Sequence, residues 1–73
     1  MTTSPKGQRE AHLAQAERHI RGIEGRILHQ ELLIRRLVDL GADTTQAEQL
    51  LRSMRQSLEL SRHDRAVILG EAP

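Results

Sequence analysis

The chain has 73 residues, with eleven Lys or Arg against ten Asp or Glu, and this net charge of +1 argues against a protein that works by holding phosphates. It contains no cysteine, Phe, Tyr or Trp, which excludes disulfides, thiolate metal sites and aromatic platforms for stacking bases. A single core in so short a chain supplies only about 3–5 kcal/mol, so we expect aliphatic helix packing completed by self-association, most simply in a homodimer.

The N-terminal segment, residues 1–8, is rich in Thr, Ser, Pro, Lys and Gly, and it predicts a flexible arm. Pro5 after Ser4 also suits the first position of a helix, so the helix start falls between Pro5 and Glu10. The segment lacks the apolar stretch of a signal peptide, and no run of 18 apolar residues could span a membrane. We therefore expect a cytoplasmic protein, with no membrane partner.

From Leu13 onward, apolar residues alternate at spacings of three and four, which indicates a helix with one buried stripe, as in a coiled coil. This pattern predicts a first helix over about residues 9–40. Written as heptads, positions a hold Leu13, Ile20, Ile27 and Ile34, and positions d hold Ala16, Ile23, Gln30 and Leu37.

The turn is predicted at residues 41–44, where Gly41 is expected to end the first helix in the left-handed conformation. Asp43 and Thr44 can each cap a second helix, and Thr45 with Glu48 has the form of a capping box. The second helix is predicted over about residues 45–69. Its stripe consists of Ala47, Leu51, Met54, Leu58, Ser61, Arg65 and Ile68.

Because the connection is short, the two helices are predicted to form an antiparallel hairpin over residues 9–70, followed by a tail at 71–73. A turn centred near residues 42–43 places Ile27 opposite Leu58, and Ile20 opposite Arg65. Two helices leave the stripe covered on one side only, so two hairpins are expected to pair as an antiparallel four-helix bundle. The predicted oligomer interface consists of Leu13, Ile20, Ile23, Ile27, Ile34, Leu37, Leu51, Met54 and Leu58.

A second packing surface is predicted on the outer edge of the first helix. Gly22 and Gly25 each weaken a helix by about 1 kcal/mol relative to alanine, and with Leu28 and Leu32 they form a strip onto which another helix could pack. The alternative is that both glycines lie on a solvated face and merely soften the helix.

Polar residues on the stripe specify register at some cost in stability. Gln30, Ser61 and Arg65 occupy such positions, and Arg65 is expected to lie near Glu17 and Glu24 as a partly buried ion pair. Alternatively, the second helix frays from Ser61 onward.

The edges of the first helix carry opposite charges, which suits a helix that selects its partner and orientation, although each charge can also be simply solvated. Positions e hold Glu17, Glu24 and Glu31, and positions g hold His12, His19 and Arg26.

Nothing in the sequence predicts catalytic, cofactor-binding or metal-binding residues. None of His12, His19, His29 and His63 is four residues from another, and no nucleophile–base pair or phosphate-binding glycine loop is present. We therefore predict a non-enzymatic protein–protein interaction or regulatory module that acts as a homo-oligomer. The alternative is an arginine-dependent nucleic-acid-binding protein, since ten of the eleven cationic residues are Arg.

Three stretches, HLAQAERHI, LVDLGADTTQAEQLL and SLEL, resemble a loose group of short helical-hairpin proteins from GC-rich soil proteobacteria. The likeness covers about residues 13–69 and implies a two-helix bacterial protein, with no activity or site residues. The stretch HIRGIEGRI is also similar to the first helix of copper-sensing all-helical repressors. Those repressors bind metal through cysteines and have a third helix, both of which this chain lacks, so metal sensing is not implied.

Overall fold

A computed structural model describes residues 5–71 as two α-helices joined by a short turn. Helix α1 spans Pro5–Asp39 and helix α2 spans Thr45–Ile68, and they pack along each other. The predicted all-α two-helix hairpin is therefore confirmed. The backbone measures 58 × 27 × 13 Å, so the hairpin is a flat body only one helix thick.

Helix α1 begins at the N-terminal limit of the range predicted for its start. It starts at Pro5, so residues 5–8, which were predicted to belong to a flexible arm, are helical. Proline suits this position because its ring fixes φ near the helical value and because the first helical residue needs no N–H donor. Residues 1–4 of the predicted arm and residues 72–73 of the predicted tail lie outside the described residues.

Gly41 ends α1 in the left-handed conformation, as predicted, with φ at +70°. Its N–H donates to the Val38 carbonyl at 3.0 Å, and the N–H of Ala42 donates to the Leu37 carbonyl at 2.9 Å. This pair of bonds is the Schellman motif, which satisfies carbonyls that a helix end leaves without partners. Gly70, with φ at +74°, ends α2 in the same way.

The start of α2 is held by Asp43. Its Oδ1 accepts hydrogen bonds from the Thr45 hydroxyl at 2.7 Å and from the Thr45 N–H at 3.0 Å. The predicted capping box does not form, because the Glu48 N–H donates to the Thr44 carbonyl and Thr45 is already bonded to Asp43. The Thr45 hydroxyl, and then its N–H, hold the pKa of Asp43 below its ordinary value.

Replacing Asp43 with alanine is expected to lower the melting temperature at neutral pH, because α2 loses its capping acceptor. A lowered folded-state pKa means that the ionised carboxylate stabilises the fold above the unfolded pKa, and that this stabilisation is lost as pH falls through the folded value. The difference between the wild type and Asp43→Ala should therefore shrink below about pH 4. Thermal melts of the wild type and of Asp43→Ala, at neutral pH and below about pH 4, test this. Equal melting temperatures of the two proteins at neutral pH would contradict it.

The core is a single row of aliphatic side chains between the helices. Its one buried polar side chain among residues 5–71 is Gln30, whose Nε2 donates to the Ala47 carbonyl at 2.9 Å and ties α1 to the first turn of α2. Ile34 and Met54 are partly buried against the row. The five buried hydrophobic residues are Ile20, Ile23, Ile27, Leu51 and Leu58.

Candidate functional site

The residues predicted as an oligomer interface lie on the inner stripe of the hairpin. The five core residues belong to this set, and the other four members, Leu13, Ile34, Leu37 and Met54, are partly buried. The stripe therefore packs first within one chain. Its contact with a second copy stays a prediction.

The two edges of this stripe can be assigned by heptad position. With 3.6 residues per turn, position e lies beside a, and position g lies beside d. In α2, Leu51 and Leu58 take positions a, while Met54 and Ser61 take positions d. In an antiparallel pair the e residues of both helices share one edge of the hairpin, and the g residues share the other.

The e edge, here called the charged face, carries two ion pairs between the helices. An Arg62 nitrogen lies 3.6 Å from a Glu24 oxygen, and an Arg55 nitrogen lies 3.9 Å from a Glu31 oxygen. These side chains are about half exposed, so each pair is worth at most about 1 kcal/mol. The charged face consists of Glu17, Glu24, Glu31 and Val38 of α1, Glu48, Arg55 and Arg62 of α2, and Leu69 directly after α2.

The predicted pairing of Arg65 is wrong. Glu24 pairs with Arg62, and within residues 5–71 Arg65 forms no ion pair with Glu17 or Glu24. The reason is that Arg65 occupies a partly buried a position on the inner stripe, while Arg62 lies on the same edge as the glutamates. Helix α2 also continues through Ser61 to Ile68, so it does not end where the fraying alternative placed its end.

The g edge, here called the groove face, is open. It consists of His12, His19, Arg26 and Leu33 of α1, Leu40 directly after α1, and Leu50, Ser57 and Asp64 of α2.

Two grooves of about 360 and 300 Å³ lie along this edge, and His19 lines both of them. The larger groove is also lined by Ala16, Ser61 and Asp64, and the smaller one by Ser57. The grooves exist because several positions beside the core hold small side chains, so neither helix fills the space above the d residues.

Exposed aliphatic side chains concentrate toward the groove face. Nine large hydrophobic residues within residues 5–71 are exposed, with solvent-exposed fractions from 39% to 75%. Two of them, Val38 and Leu69, lie on the charged face, and two, Leu28 and Leu32, lie on the outer side of α1. The remaining five occupy g positions or the adjoining c positions: Leu33, Leu40, Leu50, Leu60 and Val67.

The four residues of the predicted second packing surface are all exposed. Leu28 is 60% exposed and Leu32 is 55% exposed. A Cβ atom added at Gly22 or Gly25 would meet no atom within 4 Å, apart from the local chain. Nothing within the hairpin therefore requires glycine at these two positions.

The groove face brings together side chains that the heptad pattern had treated separately. His12 and His19 line the larger groove with Asp64, which the sequence had not singled out. Within residues 5–71, no group of three or more His, Asp or Glu side chains is placed to hold a metal ion. The signal for the larger groove was present in the small residues Ala16 and Ser61 at d positions, but it becomes visible only once α2 is aligned with α1.

Across the same part of the chain, neither helix combines the length and apolar character needed to cross a membrane. Comparisons with protein-family models, curated proteins and solved structures find no match. The resemblance to short helical-hairpin proteins stays a prediction.

Proposed function

We propose that this protein is a non-enzymatic interaction or regulatory module that acts in the cytoplasm as a homo-oligomer, most simply a homodimer. The observation that carries the proposal is the single-row core. The hairpin is 13 Å thick, and none of the side chains in residues 5–71 is fully buried. One row of five aliphatic residues leaves a two-helix hairpin marginal in water, and a second copy would cover its open side.

The distribution of exposed hydrophobic residues supports the same proposal. Isolated surface leucines are ordinary, whereas apolar groups gathered on one face are typical of protein interaction sites. Here five large aliphatic side chains lie on the groove face or at its margin, next to two grooves. An interaction module needs such a face, and a catalytic role gains no comparable support.

Arginine-dependent nucleic-acid binding has less support. Two of the arginines that could contact phosphate, Arg55 and Arg62, already pair with Glu31 and Glu24. The net charge is also only +1. A salt titration of binding to generic duplex distinguishes the two functions, because contacts to several phosphates produce a steep loss of affinity with added salt.

Self-association is tested by measuring mass and helicity together over a dilution series from micromolar to nanomolar chain concentration. We expect twice the mass of one chain at high concentration, and loss of helicity as the dimer dissociates, since folding and assembly are then linked. Light scattering or analytical ultracentrifugation reports the mass, and circular dichroism reports the helicity. A fully folded single chain at nanomolar concentration would refute the proposal.

A further inference from the structure

The choice between the two faces follows from what each would bury in a dimer. Covering the charged face would remove Glu24, Glu31 and their arginine partners from water, and desolvating charges is costly even when they are paired. Covering the groove face would instead bury exposed leucines such as Leu33 and Leu50, and would fill two grooves. The hydrophobic gain therefore lies on the groove face.

The groove face is also complementary to itself. Its α1 half carries Arg26 and His19, whereas its α2 half carries Asp64 and the small side chain of Ser57. A two-fold axis parallel to the helices places the α1 half of one copy on the α2 half of the other, so the long Arg26 side chain meets the short Ser57 side chain, and the His19 ring meets the Asp64 carboxylate. A second copy thus meets the chemical requirements of this face.

The orientation follows from where the leucines of the g edge lie along the face. Leu33, Leu40 and Leu50 are close to the turn, whereas His19 and Asp64 are close to the open end of the hairpin. A two-fold axis parallel to the helices brings both turns to one end and sets leucines against leucines. The opposite orientation would set the leucines against the groove that His19 and Asp64 line, and burying those polar groups against apolar ones is unfavourable.

We propose that the groove faces of two copies pack against each other with both turns at the same end, so that a four-helix bundle forms in which α1 of each copy lies beside α2 of the other. This inference rests on the proposed self-association and adds the face, the orientation and the contacts. In the dimer, Asp64 of each copy lies at the level of His19 of the second copy, and the leucines near the turns form the apolar end of the interface.

The assignment of the dimer interface to the groove face is tested by introducing a negative charge on that face and, in a control variant, the same charge elsewhere. Leu50→Glu lies on the groove face, and Leu28→Glu lies on the outer side of α1, with the two leucines 50% and 60% exposed. We expect Leu50→Glu to raise the dimer dissociation constant about tenfold or more, because each interface then buries two unpaired carboxylates. Leu28→Glu should leave the dissociation constant unchanged within about twofold.

Each other outcome has a definite meaning. Weakening by Leu28→Glu alone would overturn the inference and would assign the interface to the second packing surface on α1. The groove-face assignment would be overturned if both variants changed the dissociation constant equally, or if neither variant changed it although the wild type forms a dimer. Self-association itself would still hold in either case. A wild-type protein that stays a folded monomer would refute the proposed function itself.

The orientation has its own measurement, which does not depend on the glutamate variants. Because the chain contains no cysteine, Ala42→Cys places one spin label on each exposed turn. Neighbouring helix axes in a bundle lie about 8–10 Å apart, so turns at one end put the two labels within roughly 30 Å of each other. Turns at opposite ends would separate the labels by most of the 58 Å length of the hairpin, and would overturn the inference.

Discussion

Replacing Ile20 with alanine is expected to abolish most of the helical structure at chain concentrations where the wild type is folded. Ile20 is 3% exposed, at an a position of a core that comprises five buried aliphatic residues in the part of the chain that the structure describes. Truncating a buried isoleucine to alanine costs about 2–5 kcal/mol. A chain of this size gains only about 3–5 kcal/mol from such a core, so one substitution removes most of the stability.

Far-UV circular dichroism and thermal melting measure this effect, with all samples at one chain concentration because assembly makes the melting temperature concentration-dependent. Val38→Ala provides the matched control, since Val38 is 60% exposed and lies on the charged face. The free energy of unfolding of Val38→Ala should differ from that of the wild type by no more than about 0.5 kcal/mol. If Ile20→Ala melted like the wild type, the row of aliphatic residues would not be what holds the hairpin together.

Replacing Gly22 and Gly25 together with alanine is expected to stabilise the hairpin by about 2 kcal/mol, because alanine is favoured over glycine in a helix by about 1 kcal/mol at each position. The gain should be realised because an added Cβ atom meets no neighbouring atom within 4 Å at either residue. Gly25 lies on the outer side of α1, and Gly22 lies at a c position, at the margin of the groove face but not on its g edge, so the dimer dissociation constant should not rise. Chemical denaturation measures the stability change, and sedimentation measures the dissociation constant.

Gly41→Ala is the control for this glycine pair. Gly41 has φ at +70°, a conformation that costs other residues roughly 1–2 kcal/mol, so alanine there should destabilise the chain. If the double variant instead weakened the dimer, another helix would have to approach α1 closely at Gly22 and Gly25. That result would support the second packing surface with Leu28 and Leu32, and would contradict an interface on the groove face.

Much of the hairpin could be predicted because its determinants are local along the chain. The alternation of three and four between apolar residues requires a helix with one inner stripe, and it placed Ile20, Ile23 and Ile27 in the core. The end of α1 was equally predictable, because only glycine adopts φ near +70° at little cost, and Gly41 directly follows the periodic segment. The short connection then left an antiparallel pair as the only arrangement.

Side-chain partners at the helix start and along the edges were less predictable. The pattern pointed to three candidate caps for α2, and the three-dimensional arrangement selected the Asp43 carboxylate over the box formed by Thr45 and Glu48. It also directed Glu24 to Arg62, whereas Arg65 was the predicted partner. Arg62 and Arg65 are only three residues apart on α2, so both are near Glu24. Arg62 forms the ion pair because it lies on the same edge of the hairpin as Glu24, whereas Arg65 lies on the inner stripe.

The groove face and the charged face differ because of how α1 and α2 pack together, and this could not be predicted from either helix alone. Heptad spacing specifies which residues point inward, and this period can be read from one helix at a time. Whether the space beside the core is filled depends on which side chains of α1 and α2 lie at the same level. Ala16 and Ser61 line the same groove, to which each helix contributes a small side chain, whereas Glu31 and Arg55 meet across the opposite edge. That coincidence of levels exists only after the chain has folded back on itself.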